Sequence, residues 1–129
     1  SVAQLGRPSV GHATAAGKVM LAFGDVGLPA EPFTAYTSRT ITTREQLVEK
    51  LAQVRRRGFA EAREERESGL SAIAAPVRDS SGGLAGIIGV QGPASRFDAR
   101  TARAAVPALL WHAVAVSTEL GWRNPVDPA

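Results

Sequence analysis

Apolar residues recur at helical spacing in three parts of the chain, and each part has its own start and stop signals. A first helix is predicted over residues 14–23, where a threonine can cap the start and Gly24 ends it. A second helix follows Thr42, whose spacing to Glu45 is that of a capping box, and it ends at Gly58. Its apolar spacing comes from Leu47, Leu51 and Val54, at i, i+4 and i+7, and Val48 lies beside them.

The third and longest predicted helix begins after Asp98, whose carboxylate can cap it, and stops at Gly121. Pro107 lies within this segment and is expected to kink the helix or to shift its start, because proline has no N–H to donate. The apolar stripe of this helix comprises Ala102, Val106, Leu109, Ala113, Val116 and Leu120.

Short apolar segments between the second and third helices predict β-strands. Residues 71–77 and 84–90 flank the turn-forming sequence 78–83, which favours a β-hairpin, and residues 59–63 form a shorter strand. Pro76 cannot donate a ladder hydrogen bond, so it should lie at an edge or a bulge. The order helix, helix, strand, hairpin, helix predicts an α+β fold with antiparallel strands and separate helices.

The composition is that of a single globular domain. The 129 residues include 44% hydrophobic and 21% charged side chains, and the length is typical of one domain. The sequence contains no cysteine, which excludes disulfides and thiolate metal sites and agrees with a cytoplasmic location. No apolar run approaches the roughly 18 residues of a membrane-spanning helix, so no membrane partner is expected.

The charge pattern argues against direct DNA binding by this chain. The net charge is +3, and the only tight basic run is Arg55–Arg57. Four glutamates follow this run within the next ten residues. A DNA-binding surface concentrates positive charge on one face, whereas these glutamates cancel much of the gain from counterion release.

The segment 11–18 resembles a phosphate-binding loop only superficially. The spacing between its two glycines is one residue too long, and Val19 replaces the Ser or Thr that would bind the metal. The segment is therefore interpreted as a helix start built from small residues. In that geometry the backbone N–H groups of Ala15 and Ala16 point into a cavity and bind a carboxylate or carbonyl, helped by the helix dipole.

The titratable residues indicate no metal or cofactor site. His12 and His112 have no neighbouring ligands for zinc and lie in no Ser–His–acid pattern. Glu64 and Glu65 offer carboxylates for acid–base chemistry, but a solvated, salt-bridged edge is the favoured interpretation. Glu65 is expected to hold a loop by accepting backbone N–H bonds. The chain is predicted not to be an enzyme.

Several segments, taken together, resemble one protein family. Residues 12–22 (HATAAGKVMLA) resemble the "hxTAxGKAxLA" signature of IclR-type bacterial transcription regulators. Residues 37–42 (TSRTIT), 54–60 (VRRRGFA) and 64–77 are similar to further motifs of that family, and residues 92–96 (GPASR) resemble its "SGPxxR" motif. The segments occur in the family's order and spacing over nearly the whole chain.

The resemblance implies a C-terminal, GAF-like effector-binding domain, an α+β fold in which helices flank an antiparallel sheet. It assigns residues 1–122 to this domain and residues 123–129 to a tail. The winged helix-turn-helix of such regulators is absent from this chain, as are the helix and strands with which the family's effector domain usually begins. We expect the full-length protein to contain both, to form a homodimer or tetramer, and to contact DNA only through its N-terminal domain.

The resemblance also implies where an effector binds. In acid-sensing relatives the polar contacts fall on the N–H groups that begin the signature helix and on four side chains; here these positions are Ala15, Ala16, Ala62, Ala72, Gly89 and Gln91. The four side chains are polar in relatives that bind small keto acids, whereas only the glutamine is polar here. Each missing hydrogen bond would cost a small acid about 1–3 kcal/mol. We therefore predict a larger, partly apolar effector, such as an aromatic acid.

Two alternatives stay open at this point. In the first, neighbouring side chains such as Met20 fill the cavity, and the chain is a GAF-like interaction module without a ligand. In the second, which the charge pattern favours less, the chain is a small enzyme that uses Glu64 and Glu65. This second alternative requires a carboxylate that faces a cavity and is not held in a salt bridge.

Overall fold

The computed structural model describes residues 11–125, which form three α-helices and three β-strands. Their order is the predicted one, two helices followed by three strands and a long helix. The elements are α1 (Ala15–Phe23), α2 (Arg44–Arg57), β1 (Ala60–Arg63), β2 (Leu70–Arg78), β3 (Leu84–Pro93) and α3 (Ala99–Glu119). The first ten residues of the predicted domain and residues 126–129 of the predicted tail lie outside the described residues.

The three strands form one antiparallel sheet in the order β1-β2-β3. The predicted hairpin is confirmed, and its two strands are longer than the sequence indicated. Pairing with β1 reaches only as far as Ala74, so Pro76 lies where β2 has become an edge strand on that side. A register irregularity follows at once, between Val77 and Arg78. The predicted position of this proline at an edge or bulge is therefore confirmed.

Helices cover both faces of the sheet, because successive side chains of β2 point in opposite directions. Ala72 and Ala74 face α1, where they pack in a cluster with Val19. Ile73 and Ala75 face α3 in a separate cluster that includes Phe97, Ala102, Leu109 and Ala113. Helix α2 lies behind α1, and the two helices bury Leu21, Phe33, Leu47 and Leu51 between them and the loop that joins them. None of the helices within residues 11–125 has the length and hydrophobicity to cross a membrane.

The caps explain where the helices begin. The side chains of Thr14 and Asp98 accept backbone N–H bonds at the starts of α1 and α3, as predicted. The cap of α2 is Thr43 and not Thr42, since Thr43 Oγ1 accepts the N–H of Gln46 at 3.2 Å. Thr42 and Thr43 are each followed, three residues later, by a Glu or a Gln, so both carry the capping-box spacing. The helix begins after the second threonine. Gly58 ends α2 in the left-handed conformation, with φ of 83°.

Helix α3 differs from its prediction in the exposure of its C-terminal part. It continues through Pro107 and its start is not shifted, so of the two predicted effects of this proline only the kink stays a prediction. The proline is exposed, so water can satisfy the carbonyl that the missing N–H leaves free. Val116 and Leu120, which were expected on the buried stripe, are exposed, as is His112. Ser117 is buried instead, and its Oγ accepts the N–H of Arg78 at 2.9 Å at the end of β2.

Candidate functional site: a cavity at the start of α1

The start of α1 leaves two backbone N–H groups unpaired within the helix. The first four N–H groups of a helix have no intrahelical partner. Thr14 satisfies one of these groups, because its Oγ1 accepts the N–H of Gly17 at 2.9 Å, and its carbonyl accepts the first intrahelical bond, from the N–H of Lys18 at 3.0 Å. Within residues 11–125 the N–H groups of Ala15 and Ala16 have no acceptor, so they can bind an external one at the positive end of the helix dipole.

Close packing holds this turn in place. A Cβ atom added at Gly17 would lie 2.5 Å from the Cα atom of Gly11 and 2.6 Å from Thr14 Oγ1. Only glycine therefore lets the chain approach the helix this closely. The small residues of the segment thus serve to fix the helix start against the preceding turn.

A cavity of about 530 Å³ opens between the start of α1 and the face formed by β2 and β3. Of the six predicted effector positions, five line it: Ala15, Ala16, Ala72, Gly89 and Gln91. Its volume falls in the range of small-molecule sites, which is about 300–1,000 Å³. The geometry therefore brings together most of the positions that the sequence indicated.

Ala62 does not line the cavity. It is 6% exposed and packs in the cluster of α1, α2 and the sheet with Val19 and Val54. It is the register partner of Ala72, but α1 covers β1 directly, so the open space lies further along the sheet towards β3. The structure therefore does not bring Ala62 to the cavity with the other five positions, and its contact with an effector stays a prediction.

The cavity wall is mostly apolar. Among the described residues that line it, only Thr14 and Gln91 have side chains that carry oxygen or nitrogen. Sequence reasoning did not assign an effector contact to several lining residues, namely Met20, Leu84, Ala85, Gly86, Ile87 and Val90. The alternating pattern of β3 was the signal that could have identified Ile87, since it lies on the same face as Gly89. Met20 lines the cavity without closing it.

A buried ion pair lies beneath α1. Lys18 is fully buried, and its Nζ donates to Glu65 Oε1 and, at 2.8 Å, to the carbonyl of Glu61. The other carboxylate oxygen of Glu65 accepts the N–H of Arg63 at 3.2 Å, which confirms the predicted loop-holding role of Glu65. Burial lowers the pKa of the Lys18 ammonium, and the charge of Glu65 opposes that shift.

The glutamate cluster does not provide the free carboxylates that an enzyme would need. Glu65 is committed to Lys18, and Glu64 accepts the N–H of Gly69 at 3.0 Å and lies 3.9 Å from the Arg39 guanidinium. Neither residue lines the cavity. The arrangement is structural, since both side chains tie loops together.

The histidines have structural surroundings as well. His12 is fully buried, its Nε2 pairs with the Thr34 carbonyl at 2.8 Å, and its ring stacks on Phe33 and Tyr36. His112 is exposed and contacts the edge of Trp111. Among residues 11–125 there is no group of three His, Cys, Asp or Glu side chains that could hold a metal ion.

Comparison with known proteins identifies the family. Residues 1–118 match the family described as bacterial transcriptional regulator IclR, C-terminal. The chain therefore belongs to the IclR family of bacterial transcriptional regulators and carries its C-terminal domain. The relatives are named as regulators and not as enzymes, in agreement with the prediction from the sequence.

One curated relative is the HTH-type transcriptional regulator KdgR of Escherichia coli K12. It is 34% identical over 126 residues, which cover 94% of this chain and 48% of KdgR. The chain thus spans about half the length of the curated relatives it matches. The crystal structure of the C-terminal domain of E. coli KdgR has a TM-score of 0.74 at 34% identity, with 87% of this chain and 71% of that domain covered.

Two further structures have the same fold. The Agobacterium tumefaciens repressor BlcR gives a TM-score of 0.79 at 29% identity, covering 88% of this chain and 48% of BlcR. A double mutant of the PobR inducer-binding domain from Acinetobacter, in complex with 3-hydroxybenzoic acid, gives 0.69 at 28% identity, covering 86% of this chain and 65% of that one. The predicted α+β effector-domain fold is confirmed.

Proposed function

We propose that this domain binds a small organic acid with an apolar body in the cavity at the start of α1. The observation that carries the proposal is the combination of two free N–H groups, at Ala15 and Ala16, with a wall that is otherwise almost entirely apolar. The two N–H groups would donate hydrogen bonds to the carboxylate, and Gln91 would orient a second polar atom of the ligand. The apolar body would lie against Met20 and β3.

The lining favours an aromatic acid over a small keto acid. Ala72 and Gly89 present no hydrogen-bonding side chain, so a keto acid would lose about 1–3 kcal/mol for each polar group left unpaired. An aromatic ring, in contrast, gains binding free energy from the apolar surface that it buries against the wall, at about 25 cal/mol per Å². The bound 3-hydroxybenzoic acid of the PobR domain is consistent with this class of ligand in the same fold.

Regulation follows if the ligand binds one arrangement of the full-length protein better than another. We propose that the full-length regulator is a homodimer or tetramer in the cytoplasm, and that it contacts DNA through an N-terminal domain. The share of KdgR that lies outside the matched region is consistent with such a domain. The effector would then change the spacing of the DNA-binding domains within the oligomer.

We also propose that upstream residues of the full-length regulator extend the sheet at β3. This strand is the edge of the described sheet, and it carries the exposed Val90. An unpaired edge of ten residues promotes aggregation, so a paired one is expected in the complete protein. An added strand here would also narrow the open side of the cavity, which β3 borders.

Isothermal titration calorimetry on the full-length regulator tests the proposal with two probes, 3-hydroxybenzoate and pyruvate. We expect 3-hydroxybenzoate to bind with a dissociation constant at least about tenfold lower than that of pyruvate, which corresponds to a difference of about 1.4 kcal/mol in binding free energy. Tighter binding of pyruvate would contradict the proposed ligand class. Absence of binding by a broader set of aromatic and aliphatic acids would favour the alternative, an interaction module without a ligand.

A further inference from the structure

Helix α3 has a second apolar side, which faces away from the sheet. Its centre is Trp111, which is 68% exposed, although tryptophan is usually among the more buried residues. Val114 is exposed beside it. The buried contacts of the helix, through Ala102, Leu109 and Ala113, lie on the opposite side and do not use these residues. An exposed apolar strip of this kind marks an interaction surface.

The strip has the spacing of a helix–helix interface. Successive positions of the strip are separated alternately by four and three residues, and all of them are exposed. We call this set of positions the α3 seam. It consists of Arg100, Ala104, Pro107, Trp111, Val114 and Thr118. This spacing averages 3.5 residues, the repeat with which one helix packs along another. The seam runs nearly the full length of α3, which is 21 residues and therefore about 31 Å long.

The charges of α3 indicate the direction of the partner helix. Its charged residues are Arg100 and Arg103 near the start and Glu119 at the end. A second α3 in antiparallel orientation would place the arginines of one copy beside the glutamate of the other. A parallel copy would instead place like charges opposite each other, which is unfavourable.

The sizes of the seam residues indicate the same direction. Pro107 and Trp111 are equally distant from the helix midpoint at residue 109. In an antiparallel pair, Trp111 of each copy therefore lies against Pro107 and Ala104 of the other, a large side chain on two small ones. In a parallel pair the two tryptophans would meet and leave the small residues without a partner of sufficient size.

We infer that α3 is a self-association surface on which two copies of this domain pair through antiparallel α3 seams, with Trp111 as the principal contact. This inference rests on the proposed function, in which the full-length regulator is an oligomer, and it identifies the surface through which two copies associate. It does not depend on the effector, because none of the seam residues lines the cavity. A buried tryptophan at the centre of an interface is a typical hot spot.

The first test is sedimentation velocity on the full-length regulator with Trp111→Asp. We expect one association step to be lost, with the dimer dissociation constant of that step raised at least about tenfold. The matched control is Val48→Asp, which places the same charge on an exposed apolar residue of α2, 47% exposed and outside the seam. The control should associate like the wild type, and both variants should keep the wild-type circular dichroism spectrum.

The second test reverses charges across the pair. Arg100→Glu and Glu119→Arg should each weaken association severalfold, and the double variant should recover most of the loss. The two residues are about 28 Å apart along one helix, so a rescue can arise only between copies. Loss of association without rescue in the double variant would overturn the antiparallel arrangement.

Unchanged association of a folded Trp111→Asp variant would overturn the inference as a whole. It would mean that another part of the full-length regulator, or nothing, covers the seam. Calorimetry with 3-hydroxybenzoate on the same variant separates this outcome from a failure of the proposed ligand. Binding with wild-type affinity in a dissociated variant supports the seam, whereas absence of binding in the wild type contradicts only the ligand class.

Discussion

The two faces of the sheet differ although one strand supplies both. On the α3 side, Ile73 and Ala75 are buried in one cluster with Leu109. On the α1 side, Ala72 and Ala74 leave space, and the cavity lies there. Only the filled face gains the full benefit of apolar burial. We therefore propose that the filled face stabilises the fold and that the open face binds the ligand.

The largest expected effect concerns the buried ion pair of Lys18 and Glu65, which lies beneath α1. Glu65→Ala leaves the buried ammonium of Lys18 without its partner, and breaking a buried ion pair costs about 3–5 kcal/mol. We expect a loss of this size in the free energy of unfolding, measured by urea denaturation. The control is Glu67→Ala, an exposed glutamate of the same loop, which should change stability by less than about 0.5 kcal/mol.

Equal stability of Glu65→Ala and the wild type would mean that the open face does not depend on this ion pair. In that case the small residues around Gly17 would be sufficient to fix the helix start. A loss confined to ligand affinity, with stability retained, would instead assign Glu65 a local role at the cavity.

The sharpest comparison of the two faces places the same side chain on two residues of β2 that face opposite sides of the sheet. Ala75→Leu forces extra volume into a position that is 0% exposed, and overpacking of this kind costs about 1–3 kcal/mol. Ala72→Leu places the same volume in the cavity, where space exists. We expect little change in stability for Ala72→Leu, together with loss of 3-hydroxybenzoate binding.

Thermal unfolding and calorimetry on both variants measure the two quantities. The opposite pattern, in which Ala72→Leu unfolds the protein and Ala75→Leu is tolerated, would contradict the assignment of the faces. Retained ligand binding in Ala72→Leu would show that the ligand lies elsewhere.

The smallest expected effect is that of Gln91→Leu. The substitution removes the one amide side chain of the cavity wall and keeps a similar volume. A lost neutral hydrogen bond of about 1 kcal/mol corresponds to roughly fivefold weaker binding of 3-hydroxybenzoate. Stability should not change, because Gln91 is exposed in the absence of ligand. An unchanged affinity in calorimetry would remove Gln91 from the site.

Local signals were sufficient to predict most of the fold. Capping residues at Thr14 and Asp98, the glycine at Gly58 and the turn before β3 correctly indicated the element order. The error at α2 arose because adjacent threonines carry the same signal. The exposure of Val116 could not be predicted from periodicity, since the spacing of apolar residues does not show that the polar Ser117 is the residue buried against the end of β2.

Contacts between residues that are far apart in the chain could not be predicted from local sequence patterns. Lys18 and Glu65 are 47 residues apart, and no local pattern pairs them. Ala62 was placed in the site by the resemblance to acid-sensing relatives, but only the structure shows that α1 lies over β1 and leaves the space near β3. The second apolar side of α3, centred on Trp111, was hidden by the stronger buried stripe of the same helix.

The central claim is that an acid binds at the two free N–H groups of the α1 start. The most direct measurement is a titration of ¹⁵N-alanine-labelled protein with 3-hydroxybenzoate, followed by nuclear magnetic resonance. The account predicts that the amide resonances of Ala15 and Ala16 shift most, in the direction of a newly formed hydrogen bond, and that Ala75 on the filled face does not respond. Shifts confined to alanines remote from the cavity, with Ala15 and Ala16 unchanged at saturation, would contradict it.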